Sequence, residues 1–209
     1  RALAFPRSLA GLPRMLFQLR RGPLLGPILQ HVDDMDAVRG LLLRSSLPHV
    51  LRLVSPRLLC APRPPRNGTA TPGQPPSMVE VPLETLALQS DVLLLLDSHT
   101  EVYIWRGMEV AGPDHSYTTE ALQRYAQRQT FGRFPSPPVM SMREGTSLAR
   151  YLTARLVPSH KDAPHLQVAS FPLLEALPGP KLEELRGKLL PTDDPSFHEY
   201  FSSVLRAVR

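Results

Sequence analysis

The stretch that decides the fold is DVLLLLDSHTEVYIWRG, residues Asp91–Gly107. Two apolar runs, 91–96 and 102–105, stand on either side of the short polar link Asp97-Ser98-His99-Thr100. Runs of this length that are rich in branched and aromatic side chains, joined by a few polar residues, are typical of a β-hairpin. The pattern therefore predicts two antiparallel strands, the second of which is closed by Arg106-Gly107.

Helices and short strands are predicted on both sides of this hairpin. Apolar spacing and end signals favour helices from Leu12 or Pro13 to Arg21 and over 33–46, 118–129, 181–189 and 197–208, a short helix bearing Arg150, and strands over 138–142 and 166–171. The apolar segment 49–60, interrupted by Pro56, favours a strand or irregular structure. The sequence thus predicts an α+β fold, a mixed sheet of four or five strands with helices packed on it, preceded by a small helical unit.

The last helix has the clearest pattern in the chain. Apolar residues recur at helical spacing at positions Phe197, Tyr200, Phe201, Val204, Leu205 and Val208. Asp194 is predicted to cap this helix, with Pro195 at its first position. We expect its aromatic face to lie against the sheet.

Three segments are predicted along the chain. Residues 1–60 form a helical segment, residues 61–77 form a proline-rich linker, and residues 78–209 form the α+β domain. The linker reads APRPPRNGTATPGQPPS and has no apolar periodicity. The chain starts at Arg1 and not at methionine, so we expect it to be a piece of a longer protein.

Composition and charge restrict the function classes. The single cysteine, Cys60, excludes an internal disulfide and a zinc site built on several cysteines, and it favours the cytosol. Residues 1–66 hold eleven arginines and three acids, a net charge of +8, whereas residues 67–209 carry −3, which gives +5 for the whole chain. A basic front end suits an anionic membrane surface or an acidic protein, although an Arg-rich opening also resembles a mitochondrial presequence.

A second stretch, FPSPPVMSMREGTSLARYLTARLVPS (134–159), carries the candidate functional residue. Thr146 or Ser147 is predicted to cap its short helix, and a stripe of leucines at positions Leu148, Leu152 and Leu156 is predicted to be buried. Arg150 lies about 160° from that stripe and should point to solvent. Arg155 lies only about 60° from it and should run along the edge of the core.

Two hypotheses fit Arg150 at this point. It is either a solvated arginine on an amphipathic helix or a donor to a partner's anion, such as a phosphate. The chain has no phosphate-binding glycine loop, no HExxH, no nucleophile elbow and no CxxC, and its seven histidines lack metal-ligand spacing. We therefore expect no active site of its own, no cofactor and no metal. Few aromatic residues interleave the basic segment, so nucleic acid is not an expected partner.

As whole motifs, four blocks resemble the SEC23 family, the GTPase-activating subunit of the COPII inner coat. They are the helix LPRMLFQLRR (12–21), the hairpin Asp91–Gly107, the stretch 134–159, and Thr192-Asp193-Asp194 followed by the last helix. The resemblance covers the C-terminal third of that family nearly end to end. It implies the end of an all-helical domain followed by a gelsolin-like domain.

The resemblance also implies a function. The family's arginine finger is the arginine of a Ser-x-Ala-Arg motif, here Ser147-Leu148-Ala149-Arg150. Arg150 would act in trans on a Sar-type small GTPase, with Gly145, Thr146 and Ser147 as contacts.

That function would place the protein with other COPII subunits on the cytosolic face of the endoplasmic reticulum and on COPII vesicles. The chain departs from the family at Thr146 (glycine), Leu148 (glutamine), Arg143 and Pro138. The alternative is a non-catalytic gelsolin-like interaction module, a coat scaffold or a cytoskeletal docking surface.

Overall fold

The computed structural model describes residues 6–25, 31–62, 78–110 and 116–207. In these ranges the helices are α1 (Leu12–Arg21), α2 (Val32–Arg44), α3 (Leu47–Val54), α4 (Ser116–Thr130), α5 (Ala149–Thr153), α6 (Pro164–Ser170), α7 (Gly179–Lys188) and α8 (Phe197–Ala207). The strands are β1 (Arg57–Pro62), β2 (Val79–Val81), β3 (Val92–Asp97), β4 (Val102–Arg106) and β5 (Val139–Arg143).

The five strands form one mixed sheet in the order β2-β1-β3-β4-β5. The predicted hairpin is confirmed: β3 and β4 pair antiparallel, with Leu95 opposite Ile104. Only the last pair, β4 and β5, runs parallel, because α4 carries the chain from one strand to the other. The predicted α+β class and the count of four or five strands are confirmed.

Both faces of the sheet are covered, which explains why every residue of β3 is buried. Alternate side chains of a strand point to opposite faces. Leu94, Leu96 and Trp105 accordingly belong to one hydrophobic cluster, while Leu95 and Ile104 belong to the other. The first cluster includes residues of α5 and α7, and the second is closed by α4.

One prediction of secondary structure is right only in part, and another is wrong. Residues 49–60 hold the end of α3 and the start of β1, and the two are separated at Pro56. Pro48 stands in the first turn of α3, where its missing N–H costs nothing. The strand predicted over 166–171 is helix α6, which begins at Pro164 and buries Gln167. That side chain donates through Nε2 to the Ser159 carbonyl at 2.9 Å, which ties α6 to the end of the 134–159 stretch.

The start of the last helix also differs from the prediction. Ser196, and not Asp194, caps α8: its Oγ accepts the Glu199 N–H at 3.2 Å, and its own N–H donates to Glu199 Oε2 at 2.9 Å. This reciprocal pair is a capping box. Asp194 instead accepts a hydrogen bond from Arg21 of α1 at 3.2 Å.

The aromatic face of α8 lies against α1 and not against the sheet. Phe17 of α1 is 1% exposed, and its ring centroid is 5.7 Å from that of Phe197 and 4.9 Å from that of Tyr200. Phe197, Tyr200 and Phe201 are each only half-buried. The anchor of this contact is therefore Phe17, from the other end of the chain.

We predict that Phe17→Ala lowers the free energy of unfolding by about 3–5 kcal/mol, because it empties a fully buried aromatic site. Phe201→Ala should cost clearly less, since that ring is half-buried and stacks on Phe197 at 5.8 Å. Urea denaturation of both variants measures the difference. Equal losses would contradict the assignment of Phe17 as the anchor.

The division of the chain into domains stays a prediction. The boundary expected at residue 60 falls inside β1, which pairs with β2 and β3 in the sheet. Residues 63–77 of the predicted linker and Val208 of the predicted last helix lie outside the described residues.

Candidate functional site

The stretch predicted to carry function leaves the sheet at β5 and turns into α5. Gly145 sits at the turn with a φ of +79°, a backbone conformation that glycine adopts without strain. The next residue, Thr146, donates its hydroxyl to the Arg143 carbonyl at 2.7 Å. Its own carbonyl accepts the Ala149 N–H at 3.0 Å. The predicted cap is therefore wrong: the Thr146 hydroxyl binds a carbonyl that precedes it in the chain, and no side chain caps α5.

The predicted orientation of the two arginines is confirmed. Leu152 and Leu156 are buried, and Arg150 on the opposite side is exposed, with its guanidinium 5.4 Å from the centroid of the Tyr151 ring. Arg155 is half-buried and lies 4.7 Å over the Tyr103 ring.

Arg155 has a second contact, and the leucine stripe is shorter than predicted. Arg155 also forms an ion pair with Glu101. The third residue of the predicted stripe, Leu148, is 52% exposed, so the buried part of the stripe is shorter than predicted. The reason is that α5 begins only at Ala149, after Leu148.

A cleft of about 660 Å³ brings the four predicted site residues together. Gly145, Thr146, Ser147 and Arg150 line one side of it. The rest of the lining is mainly apolar and includes Leu88, Trp105, Met108, Leu189 and Leu190. Its charged members are Arg21, Glu144, Lys188 and Asp194. The cleft can therefore hold an apolar partner segment beside an exposed guanidinium.

Glu144 is a site residue that the sequence analysis did not identify. Its Oε1 accepts the Ser90 hydroxyl at 2.9 Å, and its Oε2 accepts the Met108 N–H at 2.7 Å. These bonds tie the turn before α5 to both ends of the hairpin. Gly107 lets the two ends of the hairpin lie close together, because a Cβ there would lie 2.3 Å from the Ser90 carbonyl oxygen. The glycine after the second strand was the only signal in the sequence.

A second cluster lies under the tip of the hairpin. The Asp97 carboxylate accepts hydrogen bonds from Nη1 and Nη2 of Arg133 at 2.7 and 2.8 Å. Nη1 of Arg52, on α3, lies 3.3 Å from Asp97 Oδ2. The His99 N–H also donates to Asp97 at 3.1 Å, and the His99 ring is 1% exposed and stacks on His49 at 4.6 Å. Among the described residues, neither ring nitrogen of His99 has a hydrogen-bond partner.

The surroundings of His99 favour its neutral form. Burial lowers the pKa of the imidazole, and the charges of His49, Arg133 and Arg52 lower it further, against an opposing effect of Asp97. A folded-state pKa below the usual value of about 6.5 means that the unfolded chain takes up this proton first. The contribution of neutral His99 to the free energy of unfolding is therefore complete above pH 6.5 and is lost as the pH falls through its folded-state pKa.

We expect the free energy of unfolding to decrease as the pH is lowered from about 7 to about 5. His99→Asn should remove most of this slope, since asparagine does not titrate and tolerates the φ of +72° found there. Urea denaturation of both proteins at a series of pH values measures the two slopes. Identical slopes would show that other groups cause the dependence.

Several arginines of the basic segment are occupied inside the molecule. Arg14 donates to the buried carboxylate of Glu84 at 2.7 Å, and Arg21 donates to the Leu156 carbonyl at 3.0 Å. Arg52 pairs with Asp97, as described above. Three of the eleven arginines that suggested an anionic partner therefore hold α1 and α3 on the sheet.

The described residues contain neither a metal-binding cluster nor a membrane-spanning helix. Within residues 6–25, 31–62, 78–110 and 116–207, no group of three or more histidine, cysteine, aspartate or glutamate side chains is arranged to hold a metal ion. In the same ranges, none of the helices combines the length and the apolar character needed to cross a membrane.

Comparison with known proteins gives the class of the domain first. The family described as the gelsolin repeat matches residues 76–152, a range that includes β2 to β5, α4 and Arg150. The structure of the human COPII-coat protein Sec24c has a similar fold, with a TM-score of 0.56 at 16% identity over 74% of this chain and 23% of that one. The domain is thus gelsolin-like.

The family follows from two relatives in Arabidopsis thaliana. Protein transport protein SEC23 A is 37% identical over 96% of this chain, and protein transport protein SEC23 C is 26% identical over 72% of it. The chain belongs to the SEC23 family, and the resemblance found in the sequence is confirmed. It spans about a fifth of the length of these relatives, 22% and 20% respectively.

Proposed function

We propose that this chain acts in a COPII-type coat in transport from the endoplasmic reticulum to the Golgi, where it stimulates GTP hydrolysis by a Sar-type small GTPase. Arg150 is the proposed finger, and Gly145, Thr146 and Ser147 are the proposed contacts with the GTPase. The observation that carries the proposal is the contrast between two arginines of one short segment. Arg155 is paired with Glu101. Arg150 is exposed at the cleft and, among the described residues, has no carboxylate within ion-pair distance.

That contrast is what an arginine finger needs. The guanidinium must leave its own protein, reach an active site in trans, and neutralise charge that develops on the transferred phosphoryl group. An arginine held by an internal carboxylate would have to break that pair first. Arg150 contacts only the face of Tyr151 in the described structure, an interaction worth about 0.5–1 kcal/mol at an exposed site. The cost of reaching a partner is therefore small.

Two departures from the family pattern are compatible with this role. The positive φ of the turn falls on Gly145, so Thr146 has no need of the glycine found in the family. Its hydroxyl bond to Arg143 holds the turn from within. Leu148 is half-exposed, so this change alters the surface offered to the partner and leaves the core intact.

An interaction module without activity is the second candidate, and the cleft favours it. The largely apolar wall beside Arg150, together with the exposed side chains of Leu148 and Tyr151, would suit a segment of another protein. In that case Arg150 would contribute to binding and not to hydrolysis.

The proposal includes a location and further partners. We place the protein on the cytosolic face of the endoplasmic reticulum membrane and on COPII vesicles, in contact with other coat subunits. An anionic membrane surface is a further proposed partner. Arg20 and Arg44 are exposed and available for such a contact, whereas Arg14, Arg21 and Arg52 are engaged internally.

The test is GTP hydrolysis by a Sar-type GTPase, measured in a single turnover with and without the full-length protein that contains this chain. We expect a stimulated rate in its presence. Complex formation is measured in parallel by co-sedimentation with the GTPase on liposomes. Stable binding without stimulation would reject the activator and support the interaction module.

A further inference from the structure

The turn that carries Arg150 is fastened to the hairpin by one side chain. Glu144 stands between β5 and Gly145, and its carboxylate binds the Ser90 hydroxyl and the Met108 N–H. These two partners lie at the open end of the β3–β4 hairpin, Ser90 before β3 and Met108 after β4. The Glu144 side chain is 18% exposed, so both bonds are partly protected from water. A hydrogen bond to a charged group in such a place is among the stronger ones.

The connection from this carboxylate to Arg150 is short. The Glu144 N–H donates to the Arg106 carbonyl at 2.8 Å, which is the last backbone hydrogen bond of this stretch to β4 in the described residues. Beyond it only two bonds within the turn, from Thr146 to Arg143 and from Ala149 to Thr146, lead to α5. Glu144 therefore fixes the start of the turn, while the buried side chain of Leu152 holds α5 on the core at the other end.

We propose that Glu144 is a positioning residue for Arg150. This inference rests on the proposed function, because it concerns the reach of the finger into the GTPase. Without the carboxylate, the turn keeps its backbone bonds to β5 and β4 but loses its attachment to Ser90 and Met108 and its ion pair with Lys188 of α7 at 3.8 Å. A displacement of about 1 Å at a reacting centre can cost about 10²-fold in rate. The same displacement hardly changes the area of contact with a partner.

The experiment compares Glu144→Ala with Glu144→Gln. Glutamine can still accept the Met108 N–H through its oxygen and donate to Ser90 Oγ through its amide, so it keeps the geometry without the charge. We expect Glu144→Ala to lower the maximal stimulated rate by about 10- to 100-fold, with the half-saturating concentration changed by less than about threefold. Glu144→Gln should restore most of the rate.

A matched control and a second readout separate positioning from loss of fold. Glu120→Ala on α4 removes an exposed glutamate far from the cleft and should leave the rate unchanged. Amide hydrogen exchange at Met108 should accelerate in Glu144→Ala alone, because its acceptor is gone. If Glu144→Ala does not fold, Ser90→Ala removes one of the two bonds from the other side and should lower the maximal rate by a smaller factor.

The outcomes are distinguishable from those of the proposed function. No stimulation by the unmodified protein would reject both together. Stimulation that Glu144→Ala leaves intact would reject the positioning role alone. An equal loss in Glu144→Ala and Glu144→Gln would also reject it, because it would show that the charge and not the geometry matters.

Discussion

Replacing Arg150 with alanine should remove nearly all of the stimulated GTP hydrolysis, since an arginine finger contributes about 10³–10⁵ in rate. Folding should be unaffected, because the side chain is exposed and, among the described residues, its guanidinium lies over the ring of Tyr151 without an ion pair. Arg150→Lys should fail nearly as badly, since an ammonium group cannot reproduce the bidentate, planar guanidinium. Single-turnover hydrolysis at saturating protein measures the rate of each variant.

Arg155→Ala is the matched control for this experiment. It removes the same chemical group from the same segment, but its guanidinium is bound to Glu101 and lies over Tyr103. We expect a lower melting temperature and an unchanged hydrolysis rate. A full rate with Arg150→Ala, in a protein that does stimulate hydrolysis, would show that the finger is elsewhere.

The sequence was most informative for elements whose structure depends only on residues close to each other along the chain. The hairpin Asp91–Gly107 was predictable because both strands and their link are contiguous. The outward direction of Arg150 followed from the spacing of Leu152 and Leu156, which needs no knowledge of the partner surface. The failed cap at Thr146 shows the limit of this reasoning. A hydroxyl in a turn has several backbone partners within reach, and here the Thr146 hydroxyl donates to the Arg143 carbonyl.

Contacts between distant segments were not predictable in the same way. The aromatic face of α8 was recognised, but periodicity says only that a face is buried and not what covers it. Its partner, Phe17, lies 180 residues away from Phe197 along the chain. Glu144 was missed for a similar reason, because Ser90 and Met108 become its neighbours only after the sheet has formed.

The buried pair of Asp97 and Arg133 leads to an expected loss of stability as large as that of Phe17→Ala. The two side chains are 9% and 4% exposed and are joined by two hydrogen bonds. Burial alone would raise the pKa of Asp97. The hydrogen bonds from Arg133 and the His99 N–H, together with the charges of Arg133 and Arg52, outweigh it and hold the pKa below its usual value. Asp97 is therefore ionised in the folded protein and depends on its partners.

We predict that Arg133→Met lowers the free energy of unfolding at pH 7 by about 3–5 kcal/mol, because it leaves a buried carboxylate without its main partner. Urea denaturation measures the loss. Arg128→Met, at an exposed position on α4, removes the same charge and should change stability little. The double variant Asp97→Leu/Arg133→Met should be more stable than Arg133→Met alone, since the buried carboxylate is then gone and the Arg52 side chain, which is 28% exposed, still reaches water.

The pH dependence of the free energy of unfolding provides a second, independent test of this prediction. In the unmodified protein the stabilisation from Asp97 is present above the usual carboxyl pKa of about 4 and is lost as the pH falls through the lower folded-state value. In Arg133→Met the unpaired carboxylate should take up a proton more readily in the folded state than in the unfolded state. The difference in stability between the two proteins should therefore be largest at neutral pH and shrink towards pH 4. A difference that does not change between pH 7 and pH 4 would mean that Arg133 stabilises the fold by packing and not by its charge.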